Sequence, residues 1–138
     1  MIKKPALTEI SDYDPLKKAQ AALEQAQAKV VDLEAKLQKA KAEAQALEEE
    51  TIKLSALAEI GEVDGKEVKQ LEKRAANAKQ TVQELEGALR RTKLEVQVKA
   101  DLVKQKEAEA REAVADNLRN THKKAVRKLA DILAQAVE

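Results

Sequence analysis

Residues 58–68 read AEIGEVDGKEV, and they hold two of the chain's three glycines together with Glu59, Glu62, Asp64 and Glu67. Gly61 can adopt the left-handed backbone that ends a helix. Asp64 with Glu67 three residues later reads as an N-cap followed by a capping-box acid. The stretch therefore predicts a helix that stops, a turn over 61–65, and a helix that starts again.

On the N-terminal side, Leu16, Ala19, Leu23, Ala26, Val30, Leu33, Leu37, Ala40, Ala44, Leu47, Thr51 and Leu54 recur at alternating spacings of three and four, and only Thr51 is polar. On the C-terminal side the same rhythm runs through Val68, Leu71, Ala75, Ala78, Val82, Leu85, Leu89, Thr92, Val96, Lys99, Val103, Lys106 and Ala110. Such a seam is the mark of packed long helices. Asp14 and Pro15 read as the N-cap and first position of the first helix. If the chain folds back, Leu54 faces Leu71, Leu47 faces Ala78, Leu37 faces Leu89, Leu23 faces Val103 and Leu16 faces Ala110. The residue numbers of these pairs sum to 125 or 126, and several layers set a large side chain against a small one. The predicted fold is all-α: a long antiparallel coiled-coil helical hairpin, roughly 65 Å at helical rise, with an extended amphipathic C-terminal helix.

The domain order expected is an N-terminal segment, extended or a short helix, over 1–14, helix one over 15–60, helix two over 66–111 and a C-terminal helix over 112–138. Helix two outruns its partner near Ala110. Beyond it, Val114, Leu118, Ala125, Val126, Leu129, Ile132, Leu133, Ala136 and Val137 make an apolar face wider than a two-stranded seam. ADNLRNTHKK (115–124) contains weak helix formers, where a kink or break is expected. The overhang would fold back on Leu7, Ile10 and Tyr13, pair with a second copy or bind another protein. Leu94, Val98 and Leu102 form a second apolar line off the main seam, with Val31 as a counterpart on the first helix. These residues, with Leu118, Leu129, Ile132 and Leu133, are the candidate oligomer or partner interface.

Composition narrows the chemistry. The chain of 138 residues has no Trp, Phe or Cys, one Tyr and a net charge of +1. Without cysteine there is no disulfide framework and no thiol nucleophile. His122 stands as the one histidine, without companions for a metal site. No Gly-rich phosphate loop or nucleophile–base pairing is present, so no enzyme, cofactor or small-molecule substrate is expected. No apolar run reaches the roughly 18 residues that span a bilayer, and no signal peptide is read at the N-terminus. A cytoplasmic protein follows as the expectation, with no membrane partner.

Two charged features invite sharper readings. Lys123, Lys124, Arg127 and Lys128 lie opposite the apolar face and suit weak, salt-sensitive contacts to phosphates of a nucleic acid. The plainer reading is a solvated helix face, since no aromatic side chain is there to stack on bases. Glu62 and Asp64 sit at the hairpin tip. Acidic-tipped hairpins resemble, in outline, the bacterial transcript-cleavage factors that insert a hairpin into RNA polymerase. That resemblance implies a regulator whose Glu62 and Asp64 help hold a catalytic magnesium ion, although IGEVDG does not match those factors' tip motif. The plainer reading gives Asp64 and Glu67 to helix capping and leaves Glu62 in solvent.

As a whole the pattern resembles the small coiled-coil hairpin proteins often encoded in phage and bacterial genomes. The resemblance implies a virion component or a phage–host interaction factor. The function expected is a non-enzymatic structural or adaptor protein, a homo-oligomer or the binder of another protein.

Overall fold

The computed structural model describes residues 7–137. Among them a single 3-10 turn, Ile10–Asp12, precedes two long helices, α1 (Asp14–Glu59) and α2 (Gly65–Val137), which pack against each other as an all-α helical hairpin. The expectation for residues 1–6 lies outside the described residues. Two compact units divide the chain: residues 25–96, and the described parts of 1–24 and 97–138.

The turn in the first unit forms as its residues dictate. Gly61 has φ +80°, the conformation that costs a glycine nothing. Its N–H bonds to the Ala58 carbonyl, and the N–H of Glu62 reaches back to the Leu57 carbonyl, both at 3.1 Å. These two bonds make a Schellman motif, which satisfies carbonyls that the end of α1 leaves without a helical donor. Asp64 then caps α2. Its Oδ1 accepts from the Lys66 N–H at 3.3 Å, and its carbonyl accepts from the Glu67 N–H at 3.1 Å.

At the other end of α1 the cap falls one residue earlier than the sequence suggests. The Tyr13 carbonyl accepts from the N–H groups of Leu16 and Lys17, each at 3.1 Å. Tyr13 therefore occupies the N-cap position, Asp14 is helical and Pro15 comes second. Proline is tolerated there because the first four N–H groups of a helix have no partner to lose.

Within residues 25–96 the seam is populated as read. Ala26, Leu37, Val68 and Leu89 are buried, and Val30, Leu33, Leu47, Leu54, Leu71 and Leu85 are half-buried. Ion pairs flank it: Lys93 to Glu34 at 3.9 Å, Lys41 to Glu86 at 3.8 Å and Lys79 to Glu48 at 3.7 Å. The residue numbers of all three pairs sum to 127, a constant one or two above the predicted seam register. Being exposed, these pairs mark register more than they stabilise it. The two seam threonines turn their hydroxyls onto their own helices, Thr51 to the Leu47 carbonyl at 2.6 Å and Thr92 to the Ala88 carbonyl at 2.8 Å.

In the other unit, Leu16, Ala19, Val103 and Ala110 form a buried cluster on which Ile10, Tyr13 and Leu23 pack. Lys106, a seam position, is only partly exposed, and its ammonium lies 3.0 Å from the Glu109 carboxylate. The Tyr13 hydroxyl donates to the same carboxylate at 3.4 Å. The stem of Lys106 thus fills the seam while its charge is met on its own helix. The break weighed at 115–124 does not form, and α2 runs through it. Each Asn or Thr costs only about 0.5 kcal/mol in helix propensity. Thr121 donates to the Asn117 carbonyl at 2.9 Å, and Arg119 pairs with Asp116 at 3.1 Å, both bonds local to the helix.

Candidate functional site

Among the described residues, the N-terminal segment contacts α2 as far as Asn117. Asn117 Nδ2 donates to the Leu7 carbonyl at 2.8 Å, and the residues around it, Ala113, Val114 and Ala115, are half-buried. From Leu118 to Ala136 every residue is exposed. That segment carries Leu118, Val126, Leu129, Ile132 and Leu133, each 51–62% accessible. Spaced at 118, 125, 129, 132 and 136, its apolar residues fall along one side of the helix, with Val126 and Leu133 widening the band. His122, also exposed, falls in the middle of that band by the same spacing.

The opposite side is basic. Lys123, Lys124, Arg127 and Lys128 are exposed, while Arg119 is tied to Asp116. Two of the sites expected from sequence therefore share one exposed segment, apolar residues on one side and cations on the other. Leu94, in residues 25–96, is 57% exposed, and in the other unit Val98 and Leu102 are 68% and 39% exposed. Val31 is exposed as well.

At the turn, Glu62 is exposed and Asp64 is engaged as the cap described above. Among the described residues no group of three or more His, Asp or Glu side chains is arranged to hold a metal ion. Among the described residues no helix is long and apolar enough to cross a membrane.

One feature near the turn escaped the sequence reading. Between α1 and α2 an open groove of about 420 Å³ has Leu54, Leu57 and Leu71 in its lining, with Glu50 and Glu67 beside Lys53 and Arg74. Leu57, Ile52 and Ile60 are exposed close to this end of α1. The signal was present, since all three stand off the heptad seam in a run that needs no further apolar residue. Their surroundings are acidic: residues 43–67 hold eight carboxylates and only two lysines. No protein-family model matches the chain, and no curated protein or solved structure shows significant similarity to it.

Proposed function

We propose that the chain is a non-enzymatic structural or adaptor protein, a helical hairpin that presents residues 118–136 for protein–protein assembly. One observation carries the reading: a helical segment with Leu118, Val126, Leu129, Ile132 and Leu133 on one side is bare from end to end. Contiguous apolar surface of that kind on a charged chain marks an interaction site. The resemblance to hairpin proteins of phage and bacterial genomes suggests a virion component or a phage–host interaction factor as the setting.

Magnitudes limit what the face can do alone. Taking five such side chains from half exposure to full burial is worth roughly 4–7 kcal/mol. Association costs about 4–15 kcal/mol in lost freedom. Apolar burial on this side therefore exceeds the cost by about 3 kcal/mol at most and falls short of it over most of the range, so a stable complex needs complementary charge or additional surface from the partner.

The test pairs the full chain with L129D/I132D, using far-UV circular dichroism to confirm that both remain helical. The expected result is a larger solution mass for the wild type by light scattering, or a bound protein retained by the wild type and absent from the variant. Equal masses and equal retention would refute the reading.

A further inference from the structure

Resting on that docking role, the partner itself can be read from the order of side chains along the exposed band. Leu118, His122, Ala125, Leu129, Ile132 and Ala136 alternate at spacings of four and three, and all six are exposed. They form one seam along the helix. Against a second copy running the opposite way, Leu118 faces Ala136, His122 faces Ile132 and Ala125 faces Leu129. The residue numbers of each pair sum to 254. Two of these layers set leucine against alanine and the third joins side chains of similar size, as close-packed helices require. Parallel pairing would instead stack Ala125 on Ala125, Ala136 on Ala136 and His122 on His122, leaving gaps in two layers and two imidazoles in a third. An antiparallel register shifted by one heptad leaves part of the seam unpaired and sets Leu118 on Leu129 or Leu129 on Ile132. The matched register spans the whole exposed segment and ends one residue short of Asn117, where the described contacts of the N-terminal segment cease.

We infer that residues 118–136 of two copies pair as an antiparallel, two-fold symmetric helix pair. The same patch serves on both chains, so the contact is isologous and closes at two. Each chain brings an equal band, so apolar burial is twice that of one side and becomes comparable with the cost of association instead of falling short of it. Lys123, Lys124 and Arg127 lie away from the seam and keep their water. Lys128 stands at the edge of the band near the midpoint, beside its own copy, so the charges oppose the contact weakly. The paired strip is about 28 Å long at helical rise. One helix wide, it is smaller than the roughly 800 Å² per partner of a standard interface, and the dimer dissociates on dilution.

The experiment uses full-length proteins: the wild type, L129D/I132D, and the single-cysteine variants L118C and A136C in a chain that has no cysteine of its own. Light scattering follows mass from about 1 μM to about 1 mM, the span over which a weak contact dissociates. The wild type is expected to rise from one chain to two and no further. Association should be as strong or stronger at about 0.5 M salt, where surface charge is screened within a few ångströms. An acidic partner surface would give the opposite salt dependence. L129D/I132D should stay monomeric. In a glutathione buffer, a mixture of L118C and A136C should form at least about tenfold more mixed disulfide than either forms with itself, because a disulfide needs Cα atoms within about 7 Å. In the matched register two Leu118 residues lie about 27 Å apart along the axis.

A wild type that is monomeric at about 1 mM, or one that grows beyond two chains, overturns the inference. So does a dimer that L129D/I132D leaves intact, or L118C linking to itself as readily as to A136C. The docking role stands apart from these outcomes. It survives a monomeric wild type if that chain retains a different protein that L129D/I132D loses, and it fails if the variant changes neither mass nor retained protein.

Discussion

The side-chain amide of Asn117 donates a hydrogen bond to the backbone carbonyl of Leu7 at 2.8 Å, joining residues 110 positions apart in the chain. It is the last described contact between the N-terminal segment and α2, and it divides a packed stretch of helix from a bare one. Ile10 and Tyr13 lie on the packed side, against Leu16, Ala19, Val103 and Ala110. That amide marks where the described contacts of the N-terminal segment with α2 end.

Asn117→Ala removes that bond and leaves the Leu7 carbonyl to water. The expected cost is about 0.5–1.5 kcal/mol, confined to the docking of residues 7–13. Hydrogen exchange should quicken in the first turn of α1 and near Ala113–Ala115, while residues 25–96 keep their rates. An unchanged exchange map in the variant would show that the apolar contacts of Ile10 and Tyr13 hold the segment unaided.

The two turn glycines should respond with opposite signs. Gly61 has φ +80°, so Gly61→Ala forces a left-handed alanine at a cost of about 1–2 kcal/mol. Gly65 opens α2, has helical geometry and has open space where a Cβ would stand. Gly65→Ala should therefore stabilise by about 0.4–1 kcal/mol by restricting the unfolded chain. Thermal or urea unfolding of the two variants gives the comparison directly, and a loss of stability in both would contradict it.

Leu16 and Ala110 share the buried cluster, and they test size matching across the helices. Leu16→Ala should cost about 2–5 kcal/mol through lost burial and the cavity left behind. Ala110→Leu should cost about 1–3 kcal/mol through overpacking, since Ala110 has no accessible surface. If they are neighbours in the cluster, the double variant restores the total volume and should be less destabilised than the two single effects together. Additive urea midpoints would place them in separate layers.

Legibility followed periodicity. The heptad residues, the turn at Gly61 and the cap at Asp64 were readable because each depends on chemistry within a few residues of itself. The register was readable because two regular seams on antiparallel helices leave few ways to pair large with small. The N-cap at Tyr13 was not, since a backbone carbonyl makes it and carries no side-chain signature. Lys106 looked like a defect in the seam because its compensation, Glu109 and Tyr13, depends on where the N-terminal segment lands. The continuity of α2 through 115–124 was missed because weak propensities there are small against local helix bonding. The groove beside Leu57 was missed because its two walls come from different helices.

His122 falls within the apolar band between Leu118 and Ala125, where an imidazole must be desolvated when the band is covered. His122→Leu should tighten docking by about tenfold, from added burial and removal of that penalty. The free chain should gain little or no stability, because the position is exposed. Sedimentation or light scattering of the variant at matched concentration reads the effect. A weakened complex would mean that the imidazole makes a specific polar contact in the bound state.

Residues 118–136 form a helix that is exposed throughout and has no tertiary contact among the described residues, and a helix of about 20 residues in water is marginal by itself. Its amides should therefore exchange with opening energies well below those of residues 68–110, where Val68, Leu89, Val103 and Ala110 are buried. Covering the apolar face changes that balance, because release of the helix would also cost the buried contacts. Exchange over 118–136 should slow markedly when the wild type associates and should stay fast in L129D/I132D at the same concentration. Slow exchange over this segment in a dilute monomer would mean that the helix is stabilised by its own sequence, and protection on association would then no longer locate the interface.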